Sequence, residues 1–183
     1  MTVGTDWIGP MRQALEQAGG GMAVFLQGCQ GDVNPNARRW YEDKTRDQLE
    51  VAALYGQAIA ESVLEAVEQA KDVAGQLSVV DSKTLRMRPS ATLLGVLAFP
   101  WGAREPELIQ WQLGAVRLVT VPGEGFHALE QGLLQRHGRQ LLIAGLAPHW
   151  HGYLPVPFTK GYEEGLSYGR KAVDKMLEEL IPG

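Results

Sequence analysis

The chain has 183 residues, 45% of them hydrophobic, enough apolar material to bury one core, so a single domain or domain fragment over 1–183 is the expectation. Its formal charge of −4 and pI near 5.6 come from interspersed Lys, Arg, Asp and Glu, and without a basic stripe to follow a phosphate backbone nucleic acid is not an expected partner. No apolar run reaches the roughly 18–20 residues of a membrane span, and Met1 to Pro10 lacks the positive and apolar regions of a secretory signal, so no transmembrane segment and a cytoplasmic location are expected of the chain as written.

In chain order, Trp7, Ile8, Met11, Ala14 and Leu15 fall at helical spacing, Pro10 suits only a first turn, and Gly19-Gly20-Gly21 supplies the stop. Met22-Ala23-Val24-Phe25-Leu26 is too short for a helix and continuously apolar, which predicts a buried strand. A long helical pattern covers Asp47 to Lys71, with Leu49, Ala52, Ala53, Ala60, Val63, Leu64 and Val67 on the face expected to pack. Leu77 to Arg88 has the alternating, β-branched character of a strand ended by Pro89. Leu108 to Leu113 and Ala115 to Val121 flank Gly114 as a hairpin. A helix from about Gly125 to His137, a buried strand from Leu141 to Ala144 and an amphipathic helix from about Ser167 to Leu180 complete the pattern. The strand, loop, helix, strand rhythm predicts an α/β fold with a layered mixed sheet and flanking helices.

Three loops follow predicted buried strands and carry more polar groups than turning the chain requires. They are Gly28-Cys29-Gln30-Gly31-Asp32-Val33-Asn34-Pro35-Asn36, Val121-Pro122-Gly123-Glu124, and Gly145-Leu146-Ala147-Pro148-His149-Trp150-His151-Gly152-Tyr153. Loops beyond strand ends are where α/β folds bind ligands. Each residue also has a plainer reading. Asp32 and Asn34 suit capping and turning; Glu124 suits a helix N-terminus; Trp150, Phe158 and Tyr162 suit packing. Cys29, the single cysteine, can form no internal disulfide and has no nearby His or Lys in sequence, so an inert buried thiol is expected. His127 and His137 fit helix faces without a special role.

The order and spacing of the three loops resemble the neutral/alkaline non-lysosomal ceramidase family. Its pattern runs Gly-Asp-x-Ser-Pro-Asn, Val-Pro-Gly-Glu, then a Gly-Leu-(x)n-Tyr loop followed by a Tyr-Glu segment, matched here by Gly161-Tyr162-Glu163-Glu164-Gly165. Thr5-Asp6-Trp7-Ile8-Gly9 resembles the Ser-x-Asp segment that precedes the first loop. The resemblance implies the C-terminal half of a zinc amidohydrolase catalytic domain that cuts an N-acyl amide, with a small-molecule or lipid amide as substrate. Glu124 and Tyr153 then take the positions of zinc ligands. Asp32 and Asn34 take catalytic positions in the first loop. His149 and His151 have the His-x-His spacing with which two imidazoles can share a metal, but they match no ligand of the family pattern, and lining or flanking the pocket is the expectation for them.

Two departures accompany the resemblance. The family's remaining zinc ligands are histidines upstream of the first loop, whereas the first histidine here is His127, so the zinc site is expected to be incomplete. Asn34 stands at the active-site Ser position, and an amide can hydrogen-bond but is no hydroxyl nucleophile. The expected function is therefore a ceramidase-like zinc amidohydrolase that needs its missing part. The alternative is a non-catalytic remnant or binding module that keeps the fold without the metal. A missing half would leave apolar surface uncovered, and association into a homo-oligomer is one expected consequence.

Overall fold

The computed structural model describes residues 5–34, 46–72, 74–86, 88, 97, 104–156, 162–168 and 170–180. Its contacts cluster in two compact units, Met1–Phe25 with Pro35–Asp72, and Leu26–Asn34 with Val73–Gly183.

The first unit is a pair of helices, α1 (Ile8–Gly19) and α2 (Gln48–Val67). Gly20, with φ of 67°, ends α1 in the left-handed conformation and donates its N–H to the Glu16 carbonyl. Asp47 caps α2 by accepting the Glu50 N–H at 2.7 Å. The buried stripe of α2 is Val51, Gly56 and Ala60, while Leu49, Val63 and Val67 are exposed. Ala60 belongs to the packing face expected from the sequence, and Gly56, four residues before it, lies on that same face, so the exposure of Leu49, Val63 and Val67 corrects their expected packing and not the side of the helix that packs. Gly56 marks the close approach: a Cβ there would lie 2.3 Å from the Trp7 carbonyl oxygen and 3.0 Å from the Met11 nitrogen, so α2 meets α1 through its smallest residue. Trp7 meets Tyr55 and Phe25 edge-on, with ring centroids 5.6 and 5.5 Å apart.

Met22 to Leu26 forms no strand, correcting the second expectation. Met22 and Val24 are 83% and 74% exposed. The reason is local: the Arg12 guanidinium donates to the Ala23 carbonyl at 2.7 Å and Glu16 accepts the Ala23 N–H at 3.1 Å. Side chains of α1 thus take the backbone groups that a neighbouring strand would otherwise pair.

The second unit holds a four-stranded mixed sheet in the order β1-β2-β3-β5, made of β1 (Leu77–Thr84), β2 (Glu107–Leu113), β3 (Val116–Val121) and β5 (Leu141–Gly145). The hairpin around Gly114 is antiparallel, with Gln110 opposite Val119 and Leu113 opposite Val116. β3 and β5 run parallel, joined by α3 (His127–His137) in the expected crossover. A two-stranded parallel sheet pairs β4 (Glu124–Gly125) with β6 (Tyr153–Leu154). The short α4 (Tyr162–Gly165) and α5 (Arg170–Leu180) complete the unit. Its core includes Leu108, Val119, Val121, Leu129, Leu133, Ile143, Leu154, Val173 and Met176. The α/β assignment holds, with β5 buried at Leu141, Ile143 and Ala144 and exposed at Leu142. No helix among the described residues is long and apolar enough to cross a membrane. Met87 and Pro89, at the end of the strand predicted over Leu77 to Arg88, and Phe158 lie outside the described residues.

Gly56→Ala tests the helix contact. Removing a mid-helix glycine gains about 1 kcal/mol in propensity, but a methyl group 2.3 Å from a backbone oxygen forces a shift costing roughly 1–3 kcal/mol. The expected net result is a lower urea midpoint for the α1–α2 unit; a raised midpoint would contradict the close approach.

Candidate functional site

The site lies in the second unit, where three loops meet past the C-terminal ends of β3 and β5. Main-chain hydrogen bonds lace the second and third loops: Leu146 N–H to Gly123 O at 3.1 Å, Ala147 N–H to Val121 O at 3.2 Å, His151 N–H to Pro122 O at 3.1 Å, and Glu124 N–H to Gly152 O at 2.9 Å. The first loop is tied in by Gly31 N–H to Gly125 O at 2.8 Å, and by Gly145 N–H to Gln27 O at 2.7 Å. Two glycines permit this approach. A Cβ on Gly123 would lie 2.4 Å from the Gly152 carbonyl oxygen, and one on Gly31 would lie 2.6 Å from the Glu124 carbonyl oxygen. Leu146 holds φ of 58°, a left-handed conformation that costs a non-glycine residue on the order of 1–2 kcal/mol. The third loop is therefore held in a shape its own sequence does not favour.

Glu124 and Tyr153 are register partners in the β4–β6 pairing. Neighbouring strands lie about 4.8 Å apart, so these two residues, 29 positions apart in the chain, sit side by side. The Glu124 carboxylate accepts a hydrogen bond from the Trp150 indole at 2.8 Å. Trp150 is 52% exposed, so packing, the plainer reading of its sequence, does not account for it: it supplies a donor to the candidate ligand. Nothing in its sequence neighbourhood signals that pairing, because it depends on how the third loop folds back over the second.

Asp32 joins the site from the first loop. Its carboxylate accepts the His127 N–H at 2.7 Å, capping α3 from 95 residues away where the N-cap residue Phe126 makes no side-chain bond. Capping is thus its observed contact, but of a distant helix rather than of its own turn. Asn34 is exposed, and no hydrogen bond among the described residues ties it to Glu124 or Tyr153.

His149 and His151 lie in the third loop with ring centroids 6.1 Å apart. His151 also meets the Tyr168 ring at 6.3 Å, and its Nε2 is buried with no hydrogen-bond partner among the described residues. Burial, then the nearby His149 and Arg104, push its pKa below the usual histidine value, favouring neutral imidazole. Burial also drives the Tyr168 phenol up to about 12, against the opposing Arg104. Cys29, within the first loop, is buried. Burial first, then the Glu130 and Asp32 carboxylates, raise its thiol to about 12, as an inert thiol requires.

The described residues do not by themselves fit a zinc ion. No group of three or more His, Cys, Asp or Glu side chains among them is placed to hold a metal. Glu124 and Tyr153 offer two donors where zinc prefers four, and one Glu124 oxygen is already engaged by Trp150.

Two predictions follow from this geometry. Asp32→Ala removes the cap on α3 and should lower stability by about 1 kcal/mol in urea unfolding, whereas Asp32→Asn keeps an acceptor and should lose less; equal stability of both with the parent would show that the cap contributes nothing. Cys29 should resist iodoacetamide at pH 9 in the folded chain and react once unfolded. The sign is set by the raised native pKa: stability is complete below the unfolded value of 9.0 and falls as pH rises toward about 12. Rapid labelling of folded protein at pH 9 would overturn this.

No family model matches the chain, and no curated protein matches it significantly. Among solved structures, the neutral ceramidase from Pseudomonas aeruginosa superposes with a TM-score of 0.66 at 14% sequence identity, over 97% of this chain and 40% of that one. The chain therefore spans about two fifths of that structure's length and shares the fold of that part.

Proposed function

We propose that this chain carries part of the site of a ceramidase-like amidohydrolase, with a linear N-acyl amide, lipid or small molecule, as substrate. The observation that carries this reading is the in-register pairing of Glu124 with Tyr153. It unites the two residues that the sequence resemblance assigns to zinc, within a fold shared with part of a neutral ceramidase. In this reading zinc is held only when donors from outside the described residues join Glu124 and Tyr153. Trp150 orients the carboxylate through its indole N–H, and Asp32 fixes the first loop against α3. His151, kept neutral by burial, lines the pocket beside His149.

A second reading has a specific observation in its favour. The Trp150 indole already engages one oxygen of the Glu124 carboxylate, as in a binding module that keeps the fold and not the zinc. Asn34 supports this reading as well, since its amide cannot replace the hydroxyl at that position of the family pattern.

Zinc calorimetry and a ceramide-hydrolysis assay on the purified chain separate these readings. The amidohydrolase reading expects zinc binding well short of the roughly 10 kcal/mol of a complete structural site, lost in Glu124→Ala, with no useful turnover by the chain alone. The binding-module reading expects zinc heats that Glu124→Ala leaves unchanged. Tight stoichiometric zinc that disappears in Glu124→Ala, together with ceramide cleavage, would show a complete site within this chain and overturn the proposal of missing donors.

A further inference from the structure

The end of the main sheet opposite Glu124 carries a concave site. β3 and β5 run parallel, with Arg117 opposite Leu141 at their N-terminal ends and Val121 opposite Gly145 at their C-terminal ends. Four residues at about 3.3 Å each put roughly 13 Å of strand between those ends. At the N-terminal end, Gln112, Ala115, Arg117, His137, Gln140 and Leu141 line a cavity of about 170 Å³. A single water needs roughly a tenth of that space.

The lining is one-sided in charge. Among the described residues it contains a guanidinium, an imidazole and two amides, and no carboxylate. Arg136 and His137 occupy the last turn of α3, where cations complement the helix dipole. That accounts for those two side chains, but not for Arg117, which comes from β3 and faces the same cavity. Both arginines, after burial, disfavour the charged form of His137, so the local surplus of positive charge works against itself.

The frame is fixed by bonds that leave donors to spare. Arg117 N–H donates to the Gln140 carbonyl at 2.8 Å, joining two of the lining residues through the main chain. Gln112 Nε2 donates to the Gly114 carbonyl at 2.6 Å, which sets its amide plane and leaves its second N–H unassigned by that contact. Guanidinium and amide N–H groups around a small cavity with no carboxylate among its described lining suit an acceptor-only anionic ligand.

We propose that this cavity binds a small tetrahedral oxyanion, either as the free ion or as the terminal group of a phosphate monoester, held by Arg117 with His137, Gln112 and Gln140 around it. The site is separate from the Glu124–Tyr153 pairing and stands whether or not the amidohydrolase reading does.

Sodium sulfate titrated against sodium chloride at matched ionic strength tests the proposal, read by thermal shift and by NMR of the Arg117, His137 and Gln140 signals. Sulfate should give a saturable shift centred on those residues and absent with chloride. Arg117→Gln should weaken binding about tenfold, the loss expected when a charge-assisted hydrogen bond is removed, and Arg117→Lys should retain part of it. If Arg117→Gln does not fold, His137→Gln carries the same expectation of weaker sulfate binding. Glycerol phosphate that competes with sulfate identifies a monoester site; sulfate binding without that competition identifies a free-ion site. Equal responses to chloride and sulfate, or undiminished sulfate binding in folded Arg117→Gln, would overturn the proposal.

Discussion

The second unit depends on one constraint above others, the backbone-to-backbone contact of its three loops. Six main-chain hydrogen bonds tie residues 27–31, 121–125 and 145–152 together, and they form only because side chains are absent at the crossings. At Gly123 the space a Cβ would need is held by the Gly152 carbonyl, and at Gly31 by the Glu124 carbonyl. Each bond contributes on the order of 1 kcal/mol net. Leaving such buried groups unpaired would cost more, so the loops order together. Their joint rigidity can sustain a left-handed Leu146, a conformation a free loop would relax.

Glu124 inherits its position from that lacing. Its own N–H is bonded to Gly152 and its side chain to Trp150, so the third loop grips it twice, while Gly31 reaches the next residue from the first loop. Asp32, one residue after Gly31, then closes onto the first N–H of α3. The carboxylates of this region do not cluster into one acidic hole. Glu124 faces Trp150, Asp32 faces the helix, and the Asp32 and Glu130 charges reach Cys29 as repulsion against its thiolate. That distribution suits a frame that fixes one carboxylate at a time, and it separates the roles of Asp32 and Glu124, which the sequence places in loops of similar character.

Sequence reading succeeded where a signal is local and self-sufficient. Gly114 between two alternating runs specifies a hairpin, and the apolar run at Leu141 specifies a strand, because period and turn chemistry act within a few residues. It failed where the deciding partner lies elsewhere. Met22 to Leu26 is as apolar as a buried strand, but Arg12 and Glu16 compete for the Ala23 backbone. On α2 the predicted face packs at Ala60, but the contact with α1 centres on Gly56, a residue with no hydrophobic weight, and leaves Leu49, Val63 and Val67 exposed. In the site, Glu124 and Tyr153 were legible only through the resemblance. Their pairing across 29 positions, and the Trp150 and Asp32 contacts, follow from loop crossings that periodicity does not encode.

The topology also gives the two ends of the main sheet opposite chemical character. A helix joining two parallel strands must start near the C-terminal end of the first and finish near the N-terminal end of the second. α3 therefore presents its N-terminus at the loop cluster and its C-terminus beside Arg117. Its dipole favours anions at the first end and cations at the second. The side chains agree, with Asp32 on the first helical N–H and Arg136 and His137 in the last turn. Negative charge near Glu124 is thus relieved by the helix, whereas the dipole relieves only part of the positive charge at Arg117, which belongs to a strand. Among the described residues the carboxylate end is engaged within the unit, and the cationic end is where the proposed oxyanion supplies the opposite charge.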